Sequence, residues 1–322
     1  MVSKSSVNLQ TQLAPRNKKG LLLQNPVILA SGIAGYGIPA DSFTYVEITE
    51  FERLGAFVCK GTTPLPRNSN PQPLLTKVTS GLMNAIGLHN PGIHAVIERY
   101  APIWTSWTTP VIVNISADSS EDFVQLAELL EGVPGVAAIE VNVSCPNLRK
   151  GGEVFGAHPQ VVGEVTAAIR RVSTLPLIIK LSPNVSDVRP HALAAADAGA
   201  DAISLINTIT SLRIDPQTRR FRLGNGTGGL SGPAIMPIAL RMVYEVASAL
   251  RQPHPQVPII GMGGISSASD ALEFLMAGAT AVQVGTAYVT NVHVVAEIVE
   301  GIVEFMRGEG MLEVGEIVGV VI

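Results

Sequence analysis

Residues 140–147 read EVNVSCPN, an alternating strand that runs directly into Ser144-Cys145-Pro146-Asn147. Cys145 is one of two cysteines in the chain, and a glycine-bearing stretch, PNLRKGGEVFGAH, follows it and could close over a ligand. A thiol at a strand end is a candidate base or nucleophile, although a lone cysteine is more commonly a small buried hydrophobe. Cys59, in mid-strand beside Lys60, fits that plainer role and should point away from the face that Lys60 lines. Lys60, Lys180, Asn114, Asn142 and Asn207 all stand in or at the ends of otherwise apolar runs. An unpaired charge there is costly, so the pattern predicts an anionic ligand rich in hydrogen-bonding groups. Gly263-Gly264 and Gly285-Thr286 each end a run and open a helix. Such turns let backbone N–H groups approach a phosphate closely. Glycines that merely let turns close are the plainer reading; two such turns beside two lysines favour phosphate. No cysteine–histidine or carboxylate spacing announces a hydrolytic triad. The six histidines are scattered, and His89 and His94 have no partner set for a metal.

Eight short apolar runs must position these groups: 25–32, 56–62, 110–116, 138–145, 176–182, 202–208, 258–264 and 281–287. Helical patterns lie between them, several opening on Ser, Asp or Pro and closing on Gly. Eight β-then-α units predict a (β/α)8 TIM barrel; a doubly wound sheet is the alternative, but no G-x-G-x-x-G turn follows the first strand. Three connections, 63–109, 146–158 and 209–232, are too long for plain links, and all follow strand C-termini, the face where barrel active sites are built. The last of them reads as a hairpin with glycine hinges. Residues 1–322 read as one domain, with no internal repeat. The composition is 47% apolar and 15% charged, with a net charge of −4 and no basic run beyond Arg16 to Lys19, which argues against a nucleic-acid partner. Two cysteines suit a reducing compartment, the first 19 residues lack a signal peptide's apolar core, and no apolar stretch reaches ~20 residues. A soluble, cytoplasmic protein is expected.

NVSCPN with GGEVFG, KGTTPLPRNSNPQP, NAIGLHNPG, KLSPNVSD, INT, GGLSGPAI, GMGGI and VGTA, in this order from about residue 20 to 290, together resemble class 1 dihydroorotate dehydrogenases. They look most like the class 1B, NAD-linked catalytic subunit. The resemblance implies an FMN-containing barrel oxidising (S)-dihydroorotate to orotate in pyrimidine biosynthesis. It implies that Ser31, Lys60, Gly61, Asn114, Asn142, Lys180 and Ile206 contact FMN, and that Gly232, Gly263, Gly264, Gly285 and Thr286 take its ribityl phosphate. Substrate would meet Lys60 through its carboxylate, the pocket segment Asn84, Ala85, Ile86, Gly87 and Leu88, and also Asn142, Asn207 and Thr208. Cys145 stands where the family places its base, to remove the C5 proton while a hydride leaves C6. With a cysteine's ordinary pKa near ~8.5, the rate should rise with pH. Lys180 would stabilise the reduced flavin, and the loop after Pro146 would shield the site.

The membrane-linked class has serine at the base position and an amphipathic N-terminal extension; Cys145 and the short polar start disfavour quinone. GGLSGPAI and NAIGLHNPG lean to the NAD-linked heteromer over the fumarate-using class 1A homodimer. In that heteromer a separate subunit carries FAD and [2Fe–2S]; this chain has no cysteine cluster for iron–sulfur. A homodimer, or a heterotetramer with an electron-transfer subunit, is expected. His89 stands where the family often has Gln, and the tail after about residue 290 matches weakly. Three rivals remain: a flavin-free phosphate-site isomerase or lyase, an FMN dihydropyrimidine dehydrogenase, and a non-catalytic scaffold.

Overall fold

The computed structural model describes residues 7–39, 46–144 and 155–322. Cys145 and residues 146–154 of the stretch behind it lie outside the described residues. Each apolar run supplies one barrel strand: β1 (Val27–Leu29), β2 (Ala56–Val58), β3 (Val111–Ile115), β4 (Ala138–Asn142), β5 (Leu177–Lys180), β6 (Ala202–Leu205), β7 (Ile259–Met262) and β8 (Ala281–Val284). They pair in chain order, all parallel, and β8 returns to β1 to close the barrel. The TIM barrel expected from the sequence is the observed fold.

Period-two alternation sorts each strand between two cores. Val27, Leu29, Phe57, Val113, Val141, Ile179 and Ile203 face out and pack with the helices, while Ile28, Ala56, Val58, Ile112, Ala138, Ile178, Ala202, Ile260 and Ala281 face in. Leu13, Leu21 and Leu23, from a short N-terminal hairpin (Thr11–Gln12 with Leu22–Leu23), join this inner cluster and close the barrel floor. Two residues further along the same strands the interior turns polar: Asn114, Glu140, Lys180, Ser204 and Gln283 are all buried.

The helices begin where capping chemistry places them. Ser119 Oγ accepts from the Asp122 N–H at 3.0 Å ahead of Ser120–Leu130, and Ser267 Oγ from the Asp270 N–H at 3.2 Å ahead of Ala268–Met276. Pro159, Pro190 and Pro237 stand in the first turns of Pro159–Val172, Arg189–Asp197 and Met236–Leu250. The stretch Pro233–Leu250 is long and apolar enough, by length and composition, to cross a membrane. Its Ala239, Met242, Val243 and Val246 are buried in the outer core, which makes it the barrel helix between β6 and β7.

Two of the long connections build one four-stranded antiparallel sheet over the barrel mouth. Ile209–Leu212 pairs with Thr227–Ser231, which pairs with Gly81–Asn84, which pairs with Leu75–Val78. The 209–232 hairpin was legible in the sequence; its union with the 63–109 insertion was not.

At the floor, Glu131 ties the end of helix Ser120–Leu130 to the approach to β5. It accepts from Ser173 Oγ at 2.8 Å, the Thr174 N–H at 2.9 Å, Thr174 Oγ1, and Lys19 Nζ at 3.0 Å. Burial works to raise its pKa, but the Thr174 and Ser173 hydroxyls, the Thr174 N–H and Lys19 outweigh it and hold the carboxyl at about 2. A depressed carboxylate stabilises the fold above its unfolded value and loses that contribution as pH falls through its folded one. Glu131→Gln should therefore cost about 1–2 kcal/mol near neutral pH, discounted for partial exposure. The deficit should shrink between pH ~4.5 and about 2, read by denaturant titration; a deficit independent of pH would reject the assignment.

Candidate active site

By alternation, the next inward positions above the polar layer are Lys60, Ser116, Asn142, Ser182, Gly264 and Gly285, at the strand C-termini, whereas Ile206 packs with the outer core. Lys60 is 5% exposed and Lys180 7%. Cys59, one residue from Lys60, belongs to the outer core as expected, and burial pushes its thiol up to about 12, so it is inert near neutral pH.

Glu140 occupies the centre of the polar layer with no exposed surface. Its Oε1 accepts from Asn114 Nδ2 at 2.7 Å and lies 3.6 Å from Lys180 Nζ, while its Oε2 accepts from Ser204 Oγ at 2.9 Å and Gln283 Nε2 at 2.8 Å. From the sequence, a ligand is expected to balance the lysines. For Lys180 the fold itself supplies a counter-ion, because Glu140 points inward two residues before Asn142. The signal was present in AIEVN, an ionisable residue at an inward position of a buried strand.

Since Asn114 spends its Nδ2 on Glu140, its carbonyl oxygen turns toward Gly61. A Cβ on Gly61 would stand 3.1 Å from that oxygen, 3.6 Å from Leu88 Cδ2 and 3.7 Å from Ser116 Oγ. Glycine at 61 thus keeps backbone, amide acceptor and hydroxyl open to one space. Ser116 Oγ is buried and has no hydrogen-bond partner among the described residues. Ser31, at the end of β1, donates its hydroxyl to the Cys59 carbonyl at 2.8 Å.

The second group gathers around Asn142. Its Oδ1 accepts from the Ser144 N–H at 3.1 Å and from Asn207 Nδ2 at 3.2 Å. Asn207 Oδ1 accepts from the Thr208 N–H at 2.7 Å, and the Thr208 side chain packs where a Cβ on Gly229 would stand, 2.1 Å from Thr208 Oγ1. Asn84 Nδ2 donates to the Gly229 carbonyl at 3.3 Å. The inserted sheet thereby joins Asn84 to the Asn142–Asn207 pair. Below Asn84 the segment through Leu88 is braced by Asn70, whose Nδ2 donates to the Ala85 carbonyl at 3.1 Å and whose N–H donates to the Ile86 carbonyl at 3.0 Å. Gly87 (φ 85°) permits this contact, since a Cβ there would lie 2.6 Å from Asn70 Oδ1.

The third group is the glycine turns. Gly264 (φ 82°) approaches the Gly232 carbonyl so closely that a Cβ would stand 2.9 Å from it, and a Cβ on Gly232 (φ 95°) would lie 3.5 Å from Thr286 Cγ2. A Cβ on Gly263 would stand 3.3 Å from Ile206 Cγ1. Thr286 Oγ1 donates to Ser231 Oγ at 2.9 Å, and Gly285 leads into the short helix Thr286–Thr290, with nothing closer than 3.6 Å to its Cβ position. The ends of β6, β7 and β8 therefore meet the inserted sheet around one glycine-lined rim. Among the described residues no group of three or more His, Cys, Asp or Glu is placed to hold a metal.

The sequence profile described as dihydroorotate dehydrogenase matches residues 14–306, extending past residue 290, where the motif resemblance fades. The chain is 49% identical over 303 residues to the dihydroorotate dehydrogenase B (NAD(+)) catalytic subunit of Pelobacter propionicus, covering 94% of this chain and 96% of that protein. It is 47% identical over 303 residues to the subunit of the same name from Geotalea uraniireducens, with the same coverage. The corresponding subunit of Desulforudis audaxviator is 45% identical over 300 residues, covering 93% of this chain and 94% of that one. An eight-stranded parallel barrel, an asparagine and lysine cluster at its mouth and a match over nearly the whole length agree: the chain belongs to the dihydroorotate dehydrogenase family.

Proposed function

We infer that this chain is the catalytic subunit of an NAD-linked dihydroorotate dehydrogenase, oxidising (S)-dihydroorotate to orotate with FMN as its cofactor. The observation that carries the reading is the convergence, at one barrel mouth, of the Asn142–Asn207 pair, Lys180 and the Asn114 carbonyl with the glycine-lined rim. The residues present suit the cofactor: Gly285, with nothing closer than 3.6 Å to its Cβ position, leaves its backbone open to a phosphate beside the tight turns at Gly232, Gly263 and Gly264, while Asn114, Ser116 and Lys180 offer an acceptor, an unpartnered hydroxyl and a cation to a polar ring. When bound, FMN supplies the acceptor for the hydride lost from C6 of the substrate. Lys60 and Lys180 furnish positive charge in a mouth where low dielectric strengthens it. Lys60 meets the substrate carboxylate. Asn142, Asn207 and Asn84 read the amide and carbonyl edges of the pyrimidine, since each side chain offers both donor and acceptor. Cys145 takes the proton from C5.

The relatives' names call each of them a catalytic subunit, which supports a second subunit for this chain; the family resemblance implies that it transfers electrons through FAD and [2Fe–2S], and that the barrel forms a homodimer or a heterotetramer with it. A cytoplasmic location fits that assignment.

Anaerobic dihydroorotate should bleach the visible flavin band of the purified chain. Cys145→Ala should slow that bleaching by about 10²–10⁴-fold, the span of general acid–base catalysis, with orotate binding retained; a colourless chain that does not take up FMN, or unslowed bleaching, rejects the cofactor or the base respectively. Asn207→Ala, which removes one of the two hydrogen bonds to Asn142 Oδ1, should weaken orotate binding by about tenfold, measured by spectral titration. NAD should fail to reoxidise the reduced chain alone and should succeed when the electron-transfer subunit is added; rapid reoxidation by NAD without it would assign acceptor chemistry to this chain.

A further inference from the structure

We propose that Glu140 is a positioning residue for the flavin site: its buried carboxylate fixes Lys180 and the orientation of Asn114, and so sets the midpoint potential of the bound cofactor. The inference rests on the FMN reading above and adds to it a residue that need not touch cofactor or substrate.

Three observations carry it. Glu140 is a fully buried carboxylate at an inward strand position, where an unpaired charge is among the costliest features a core can hold. It is met by donors from four other strands: Asn114 on β3, Lys180 on β5, Ser204 on β6 and Gln283 on β8. Two of those partners, Asn114 and Lys180, are the ones that rise from the polar layer into the mouth. A merely structural carboxylate would need only the neutral donors. This one also stands 3.6 Å from the Lys180 ammonium, so the net charge that Lys180 presents to the mouth depends on it. It takes the Nδ2 of Asn114 as well, which leaves that residue an acceptor toward Gly61.

The sign follows from charge. A carboxylate below the flavin opposes the arrival of electrons, and the ammonium favours it. Replacing the carboxylate by an amide of equal shape leaves the ammonium uncompensated and favours the reduced cofactor, so the midpoint potential should rise.

The test measures the FMN potential of the holoenzyme by anaerobic dye equilibration, in wild type, Glu140→Gln and Ser204→Ala. Glu140→Gln should raise the reduced-to-oxidised ratio at fixed poise by about tenfold, equivalent to ~30 mV for a two-electron couple. Ser204→Ala removes one hydrogen bond from the same carboxylate and keeps its charge, and should move the ratio by less than half as much. If Glu140→Gln does not accumulate folded, Glu140→Asp, which withdraws the carboxylate from Lys180 by one methylene, takes its place and should raise the ratio by a smaller step. An unchanged or lowered potential in a folded, flavin-bearing Glu140 variant overturns the assignment, as does a shift equal to that of Ser204→Ala. A wild-type chain that takes up no FMN overturns the cofactor reading and this inference together, whereas a flavin-bearing wild type with an unmoved variant overturns this inference alone.

Discussion

A carboxylate sealed inside a closed barrel cannot look to water for its hydrogen bonds, and the interior must supply them. In this chain that requirement organises the middle of the molecule. Glu140 recruits donors from strands on its own side of the barrel and from β8 across it. Replacing any one of them by an apolar residue leaves part of a buried charge unsatisfied, and removing an ionic partner in such a setting typically costs about 3–5 kcal/mol. The polar layer is thus held as one unit between an apolar floor and a functional mouth. Its upper members are presented to the mouth already oriented.

The glycine rim obeys a different constraint. Positive φ at Gly232 and Gly264, with close approach to a neighbouring backbone, leaves no place for a side chain at either position. At Gly263 the rim packs against Ile206, which follows β6, so the ends of β6 and β7 are held against each other. Preorganisation of this kind comes from strands and tight turns, which hold geometry better than free loops.

Much of this was legible in the sequence, for physical reasons that can be named. Strands buried on both faces read as apolar runs, so all eight were visible, and helical patterns opening on Ser, Asp or Pro agree with the caps found at Ser119 and Ser267. Lys60, Lys180 and the asparagines stood out because polar groups in such runs are expensive. Glu140 did not, since in EVNVSCPN it is one polar residue of an alternating strand; only closure of the barrel turns that position into a sealed one. Nor could the sequence pair Asn84 with Gly229, 145 residues away, because strand register between distant segments has no local signature. Cys145, the candidate base, lies outside the described residues.

The four-stranded sheet is assembled from two connections that belong to different barrel strands, one following β2 and one following β6. Neither is a self-sufficient module. A change of length in one shifts the register of the other and with it the place of Asn84 beside Gly229. The two insertions therefore form a single heritable unit despite their separation along the chain, and a transplant of this mouth onto another barrel has to carry both together.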